Sequence, residues 1–421
     1  MTGPRADNGE GSLLLTGATG FLGMELLARY LERTDRHVYT LVRAADADKA
    51  KERLRFTLRA LLGRSDIHTG RVIAVAGDIE REGLGLEGEL REGLAERVSD
   101  VVHAAASISF SLPLGQSRQI NVDGTRRLLE FAESCRDRGG LRRFSYVSTA
   151  YVAGTHSGEF REDQLEVGQD FRNAYERSKF EAEKLVRSYC DRLPIQIFRP
   201  SIIVGERPTG WTAAFNVLYA PLKAFSRGAY TALPARRSAP VDVVPVDYVA
   251  DAVFELSNRP GAEDGEETYH LVAGRRATTV GHLVELSAQY FERKPPRLIP
   301  PTVYRRVIHP LAVRVSSSKS RDALKKSEVY FPYFSMRVRY DDRRARSRLE
   351  SAGIHVTPVD SYFNRLASFA TRTRWGKATL TRAEAWRGLT RPSPLPGDDS
   401  AADEGFGRRE RSRTPTALPD E

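Results

Sequence analysis

Tyr175 and Lys179 stand four residues apart in the run YERSK, and on a helix that spacing puts both side chains on one face. A free phenol has a pKa of ~10 and exchanges protons poorly at neutral pH. An ammonium beside it favours the phenolate and lowers that value, which makes the pair a tunable general acid. The stripe Ala182, Leu185, Val186 and Tyr189 supports a helix, expected over 170–191. Tyr-x-x-x-Lys also arises by chance on idle helix surfaces, so context decides. The preceding apolar run, 143–148, leads into Ser148-Thr149-Ala150. Hydroxyls at the carboxyl end of a strand point into the ligand crevice of an open α/β sheet. The interval from Thr149 to Tyr175 is long enough for a loop and the start of that helix.

A second cluster can hold phosphate. Thr16–Gly23 reads TGATGFLG, with Gly17, Gly20 and Gly23 spaced by three, after an apolar run and before a helical stripe. Gly17 permits the tight turn, Gly20 lets a pyrophosphate approach the backbone, and Gly23 permits close helix packing. The helix N-terminus then offers free N–H groups to the phosphate. Thr19, Phe21 and Leu22 complete the expected contacts of this turn. Arg43 ends the next apolar run; an acidic residue there would accept a ribose 2′-OH, whereas an arginine favours a 2′-phosphate. Its bland alternative is a surface arginine in an Arg-rich chain. Asp78 and Ile79, in AGDIE, follow the third run and could hold an adenine.

These residues need a scaffold, and the first half of the chain supplies alternating strand and helix patterns. Strands are expected at 12–16, 38–42, 72–75, 101–103, 143–148 and 194–198, with helices at 21–33, 47–62, 119–138 and 170–191. The fold class is α/β, a doubly wound parallel sheet of Rossmann type, with a smaller C-terminal substrate lobe and a disordered tail. The expected divisions are a disordered segment 1–11, a dinucleotide-binding domain 12–200, a substrate lobe 201–385 and a tail 386–421 rich in Pro, Gly, Ser and charge. Trp211, Phe215, Leu218, Leu222 and Phe225 follow a helical spacing that suits a packed core face or an acyl channel, with Pro221 expected to bend the helix.

The 421 residues allow a sizeable core, and hydrophobic residues make up 40% of them. No run approaches the ~18 apolar residues of a membrane span, and the N-terminus lacks an apolar leader. Two cysteines, Cys135 and Cys190, make neither a disulfide framework nor a zinc site; reduced thiols and an intracellular, cytoplasmic setting are expected, and no metal. His103 and His270 read as structural. The net charge is +10, and the segment 292–350, with 16 Lys and Arg against 6 Asp and Glu, carries an excess of the same size. Such a block suits CoA phosphates, an acidic carrier protein or a membrane surface, or else forms a salt-bridged solvated face. LIPPTVYRRVIHPLAVRV (298–315) mixes apolar and basic residues and could touch a membrane peripherally, though its prolines oppose one regular helix. The block has no nucleic-acid reading motif.

TGATGFLG, Arg43, GDI (77–79), HAAA (103–106), VSTAYV (147–152), YERSK and FRPSIIVG (198–205) together resemble the extended short-chain dehydrogenase/reductase superfamily over roughly residues 12–275. Within it, VVHAAASISF, YVSTAYV and VDVVPVDYVADA are most similar to fatty acyl-CoA reductases and to thioester reductase domains of carboxylic acid reductases and peptide synthetases. YFPYFSMRVRYDDRRARSRLESAGI (330–354) resembles the tail of bacterial acyl-CoA reductases more loosely. The resemblance implies that Thr149 hydrogen-bonds the substrate oxygen, with Ser148 as the lesser candidate, and that Tyr175 donates the proton. It implies that Lys179 binds the nicotinamide ribose and tunes Tyr175, that Ala104 and Ala105 line the cofactor, and that Pro200, Ser201 and Ile202 flank the nicotinamide. Asn121 lies near the position of a structural asparagine in some relatives.

The expected activity is NADP(H)-dependent reduction of an acyl thioester, delivered as acyl-CoA or on an acyl-carrier protein, to an aldehyde and then in some cases an alcohol. The alternatives are action on a nucleotide sugar or a hydroxysteroid-type alcohol (epimerase, dehydratase or dehydrogenase), or a non-enzymatic NADP-sensing module. Arg43 weighs against NAD-retaining epimerases, and the tyrosine–lysine pair weighs against a sensor.

Overall fold

A computed structural model describes residues 11–63, 70–215, 217–259, 267–304, 306 and 330–390. The N-terminal segment 1–10, most of the basic stretch between 305 and 329, and the tail from 391 lie outside the described residues. Val, Leu and Ile runs form seven parallel strands: β1 (Ser12–Thr16), β2 (Val38–Val42), β3 (Val72–Ala76), β4 (Val98–His103), β5 (Arg143–Val147), β6 (Ile195–Pro200) and β7 (Glu267–Leu271). Their order is β7-β6-β5-β4-β1-β2-β3, so the winding direction reverses between β1 and β4. The carboxyl ends of those two strands open the crevice in which such sheets bind ligands. β7 comes from the segment expected to form the substrate lobe.

Six helices cover the sheet: α1 (Phe21–Arg33), α2 (Ala47–Leu62), α3 (Gly88–Arg97), α4 (Gly124–Gly139), α5 (Ala174–Arg187) and α6 (Val246–Asn258). Leu26, Leu27 and Tyr30 of α1 pack with Val249, Val253 and Leu256 of α6 on one face. Leu128, Phe131 and Cys135 of α4 pack with Ala182 and Val186 of α5 and with Val101, Phe144 and Ile197 of the strands on the other. Burial of these apolar stripes against a sheet apolar on both faces is the main cohesive term.

Several boundaries differ from the sequence expectation. α5 is shorter than 170–191 because Asn173 caps it, its side chain accepting from the Glu176 N–H. The 119–138 helix begins with a π turn, Gln119–Asp123, before α4. The aromatic stripe 211–225 is not one helix: the helix there is Tyr219–Ser226, which places Pro221 in its first turn, where a proline bends nothing. Trp211 and Phe215 pack instead with Phe369 and neighbouring apolar groups. The expected tail start at 386 falls inside a helix, Arg382–Thr390, held by a bond from the Trp386 indole N–H to Glu206 and by an Arg382–Glu206 ion pair.

α5 is anchored by a buried ion pair. The Glu183 carboxylate accepts from Arg199 Nε at 3.1 Å, and neither side chain has any solvent exposure. Glu183→Ala leaves the Arg199 charge buried without its anion and is expected to cost about 3–5 kcal/mol. The measurement is the urea midpoint, and the double variant Glu183→Ala/Arg199→Met is expected to lie closer to wild type than the single one.

Candidate active site

The turn after β1 is shaped by what lies against it. Gly17 has φ +74°, and a Cβ there would stand 2.7 Å from both the Ala104 carbonyl carbon and the Ala105 nitrogen. A Cβ on Gly23 would stand 1.9 Å from the Gly17 oxygen, so the first turn of α1 rests directly on the glycine loop. Gly20 caps α1 without a side-chain bond, which leaves Phe21 and Leu22 at a helix start whose N–H groups and dipole suit a phosphate. The turn, with Thr19 in it, therefore fits a dinucleotide pyrophosphate. His103 joins the two strand ends: Nδ1 lies 2.8 Å from Thr16 Oγ1 and Nε2 lies 3.0 Å from Thr125 Oγ1. Burial, with Lys179 charge second, pushes its pKa down to about 3, so the imidazole is neutral and structural.

The other expected cofactor residues rim the same crevice. Arg43, at the end of β2, is exposed and pairs with Glu80 at 3.2 Å. Asp78 Oδ1 accepts from the Glu80 N–H at 3.0 Å, and Ile79 packs against Gly124 at the start of α4. At the far side, Thr149 Oγ1 donates to the Pro200 carbonyl at 3.4 Å, and the Ser201 N–H donates to Leu271. Ile202 begins a short strand, Ile202–Val204, paired with Val243–Pro245.

Thr149 and Tyr175 come together. Thr149 is buried and accepts from the Tyr151 N–H at 3.3 Å. Burial pushes the Tyr175 phenol up to about 12, the nearby Thr149 hydroxyl opposes that shift, and the Glu176 charge adds to it. Tyr175 therefore holds its proton at neutral pH, as a proton donor must. Ser148 faces elsewhere: its hydroxyl donates to Glu183 at 2.6 Å. Lys179 shares the helix face with Tyr175, but its ammonium donates to the Tyr146 hydroxyl at 2.7 Å and the Val147 carbonyl at 2.9 Å. Burial pushes Lys179 down to about 7, against the pull of Glu183.

Beside this pair lies an apolar cavity of about 110 Å³, lined in part by Tyr151, Ile202, Leu222, Phe225 and Tyr333. Leu218, Leu222 and Phe225 thus face it, while Trp211 and Phe215 of the same sequence stripe do not. The described part of the basic block is partly a salt-bridged face, with Arg343 on Asp341 and Arg346 on Asp342. No helix among the described residues is long and apolar enough to cross a membrane.

Sequence reasoning missed several supports. Tyr146, which receives Lys179, reads only as an inward strand residue. Asn121, named above only by its likeness to a structural asparagine, lies in the π turn and bonds Ser107 through both side-chain atoms and Ser178 through Nδ2 at 2.9 Å, tying the loop after β4 to α5. Phe110 lies in that loop with its ring 5.6 Å from the Tyr175 ring. An aromatic residue isolated in a Ser-rich loop was the only available signal for it.

Two outcomes follow from this geometry. Gly23→Ala is expected to abolish dinucleotide binding, measured by fluorescence titration, because the added methyl meets backbone rather than a flexible side chain. For Lys179, the unfolded chain holds a proton up to about its ordinary 10.5 while the folded, cofactor-free chain releases it at about 7. Between those values the unfolded state binds more protons, so this group makes stability rise with pH. Lys179→Met is expected to flatten that rise in urea midpoints compared at pH ~7 and ~9.5.

Residues 15–253 match the family described as Male sterility protein. The nonribosomal peptide synthetase FrzA of Cladobotryum sp is 33% identical over 285 residues, 64% of this chain and 27% of that protein. Fatty acyl-CoA reductase 1 of Arabidopsis thaliana is 25% identical over 354 residues, 68% of this chain and 72% of that protein. Among solved structures, the terminal R domain from the myxalamid PKS-NRPS biosynthetic pathway superposes with TM-score 0.76 at 28% identity, covering 90% of this chain and 94% of that one. The chain spans about a quarter of the length of the peptide synthetase it matches. With its seven-stranded sheet, glycine turn and Thr149–Tyr175–Lys179 constellation, the chain belongs to the Male sterility protein family of NAD(P)-binding, extended short-chain dehydrogenase/reductase domains, a reductase family.

Proposed function

We propose that the protein is an NADPH-dependent reductase of an acyl thioester, supplied as acyl-CoA or on a carrier protein, that releases an aldehyde and a free thiol. The observation that carries this reading is the Thr149 and Tyr175 hydroxyls near a cavity whose lining is mainly apolar, with Asp242, Ser287 and Arg339 its few strongly polar side chains. A nucleotide sugar would need polar partners in that space; an acyl chain needs none. The reductase relatives named above support the same substrate class.

The cofactor supplies the hydride. The glycine turn and the start of α1 would hold its pyrophosphate, and Arg43, now paired with Glu80, would meet the 2′-phosphate. Lys179, now bonded to Tyr146 and Val147, would bind the nicotinamide ribose. Thr149 and Tyr175 hold the thioester oxygen and stabilise the charge that develops there. Tyr175 gives its proton to that oxygen, which forms a hemithioacetal. Collapse then breaks the C–S bond, with the hydroxyl proton leaving to the thiol. A second hydride to the aldehyde would give the alcohol.

The test is NADPH oxidation with simultaneous thiol release across acyl-CoAs of increasing length. Tyr175→Phe is expected to lower kcat by about 100- to 10,000-fold while NADPH affinity stays within about twofold. Turnover of a nucleotide sugar, with no thiol released from any thioester, overturns the reading. Arg43→Ala is expected to raise the KM for NADPH about 10- to 150-fold and to leave that for NADH unchanged, since a charge-assisted contact to phosphate contributes about 1.5–3 kcal/mol.

A further inference from the structure

The Tyr175 phenol and the apolar cavity are neighbours but not in direct contact, because aromatic rings stand between them. Tyr330 and Tyr333 line the cavity, whereas Tyr175 and Phe110 do not. The Phe110 ring lies 5.6 Å from the Tyr175 ring on one side and 5.5 Å from the Tyr333 ring on the other, stacked on the latter at 14°. Tyr330 closes the same group at 6.1 Å from Phe110.

The two members of the stacked pair are held very differently. The Tyr333 hydroxyl donates to Glu176 Oε1 at 2.7 Å and accepts from Asn173 Nδ2 at 2.6 Å, so both ends of the catalytic helix's first turn fix it. The Arg172 guanidinium lies over its ring, and the Tyr151 ring meets it edge-on at 5.4 Å. Phe110 is placed by ring contacts and by apolar packing against the cluster that holds Tyr333. Its loop is tied by Asn121 at Ser107, three residues earlier, and beyond that Ser109 and Ser111 bond only within the loop. Phe110 is half-buried, and the adjacent Ile108 is 59% exposed.

We propose that Phe110 is the specificity-determining wall of the acyl site: its ring, backed by the fixed Tyr333, limits the width of the substrate at the carbons next to the thioester carbonyl. This rests on the acyl-thioester reading above. With the carbonyl oxygen on Thr149 and Tyr175 and the chain in the cavity, the carbons adjacent to the carbonyl pass beside Phe110. A straight chain slides along a flat ring face. A branched or aromatic acyl group must push the ring out of its stack, which loses the contacts on both sides. Aromatic truncation here removes no hydrogen bond and touches neither Lys179 nor the glycine turn.

The experiment compares octanoyl-CoA and benzoyl-CoA with wild type, Phe110→Ala, Phe110→Leu and Phe110→Trp, together with NADPH affinity and thermal midpoint for each. The kcat/KM ratio of benzoyl to octanoyl substrate is expected to rise about tenfold in Phe110→Ala, less in Phe110→Leu, and to fall in Phe110→Trp, with NADPH affinity unchanged. A ratio that stays within about twofold of wild type in all three variants overturns the proposal. So does loss of turnover with both substrates in all three while NADPH binding and thermal midpoint are retained, since Phe110 would then serve the chemistry itself. Wild type that releases thiol from no acyl-CoA and no carrier-bound thioester overturns the acyl-thioester reading beneath it, a result separate from either of these.

Discussion

The Glu183 carboxylate, wholly enclosed by protein, fixes where the chemistry can occur. It lies on α5 one turn beyond Lys179, accepts from Arg199 at the end of β6, and accepts from Ser148 just past the end of β5. Those two bonds set the height and rotation of α5 relative to the two strands. Arg199 is satisfied further by the Gln164 carbonyl and His270, so the cation that balances Glu183 is itself immobile. Ions this deep are costly to desolvate, and the gain over an apolar contact is geometric definition rather than stability. With Ser148 committed to Glu183, the hydroxyl left beside Tyr175 is that of Thr149.

Burial acts on the two titrating groups in opposite senses. It raises the Tyr175 phenol and lowers the Lys179 ammonium, which favours the neutral form of each. A neutral phenol is the correct resting state for a proton donor in reduction. The Lys179 ammonium, held by Tyr146 and the Val147 carbonyl, has protein partners in place of water. The contact expected from helical spacing alone, ammonium directly on phenol, is replaced by bonds from the ammonium to Tyr146 and the Val147 carbonyl.

What was legible in the sequence was the part governed by short-range rules. Apolar runs of four to six residues announced the sheet strands, the three-residue glycine spacing announced the turn, and one turn of helix brought Tyr175 and Lys179 to the same face. Boundaries went wrong where a side chain decided them: Asn173 starts α5 later than the hydrophobic stripe suggests, and Glu206 holds Trp386 in a helix where composition suggests a tail. The aromatic stripe 211–225 misled because its period is satisfied by two different clusters rather than one helix face. Phe110, Tyr333 and Glu183 were invisible as a set. Their roles depend on contacts between residues far apart in the chain, and no local periodicity encodes those.

The division of labour between fold and site follows from the same distinction. A UDP-glucuronic acid 4-epimerase from Bacillus cereus shares this fold with TM-score 0.60 at 16% identity, so sheet, turn and crevice by themselves are indifferent to the substrate. The residues that make this chain's cavity apolar come mostly from outside the dinucleotide-binding core: the helix Tyr219–Ser226, the strand Pro240–Val241, the helix Val280–Tyr290 and the segment 330–340. That last segment also reaches back to the catalytic helix through Tyr333 on Asn173 and Glu176, and its strand Arg337–Tyr340 pairs with Ser157–Phe160. The part of the chain that shapes the substrate space is thereby the part that holds the first turn of the catalytic helix. Phe110, which stacks on Tyr333 and lies beside Tyr175 without lining the cavity itself, sits where those two roles meet.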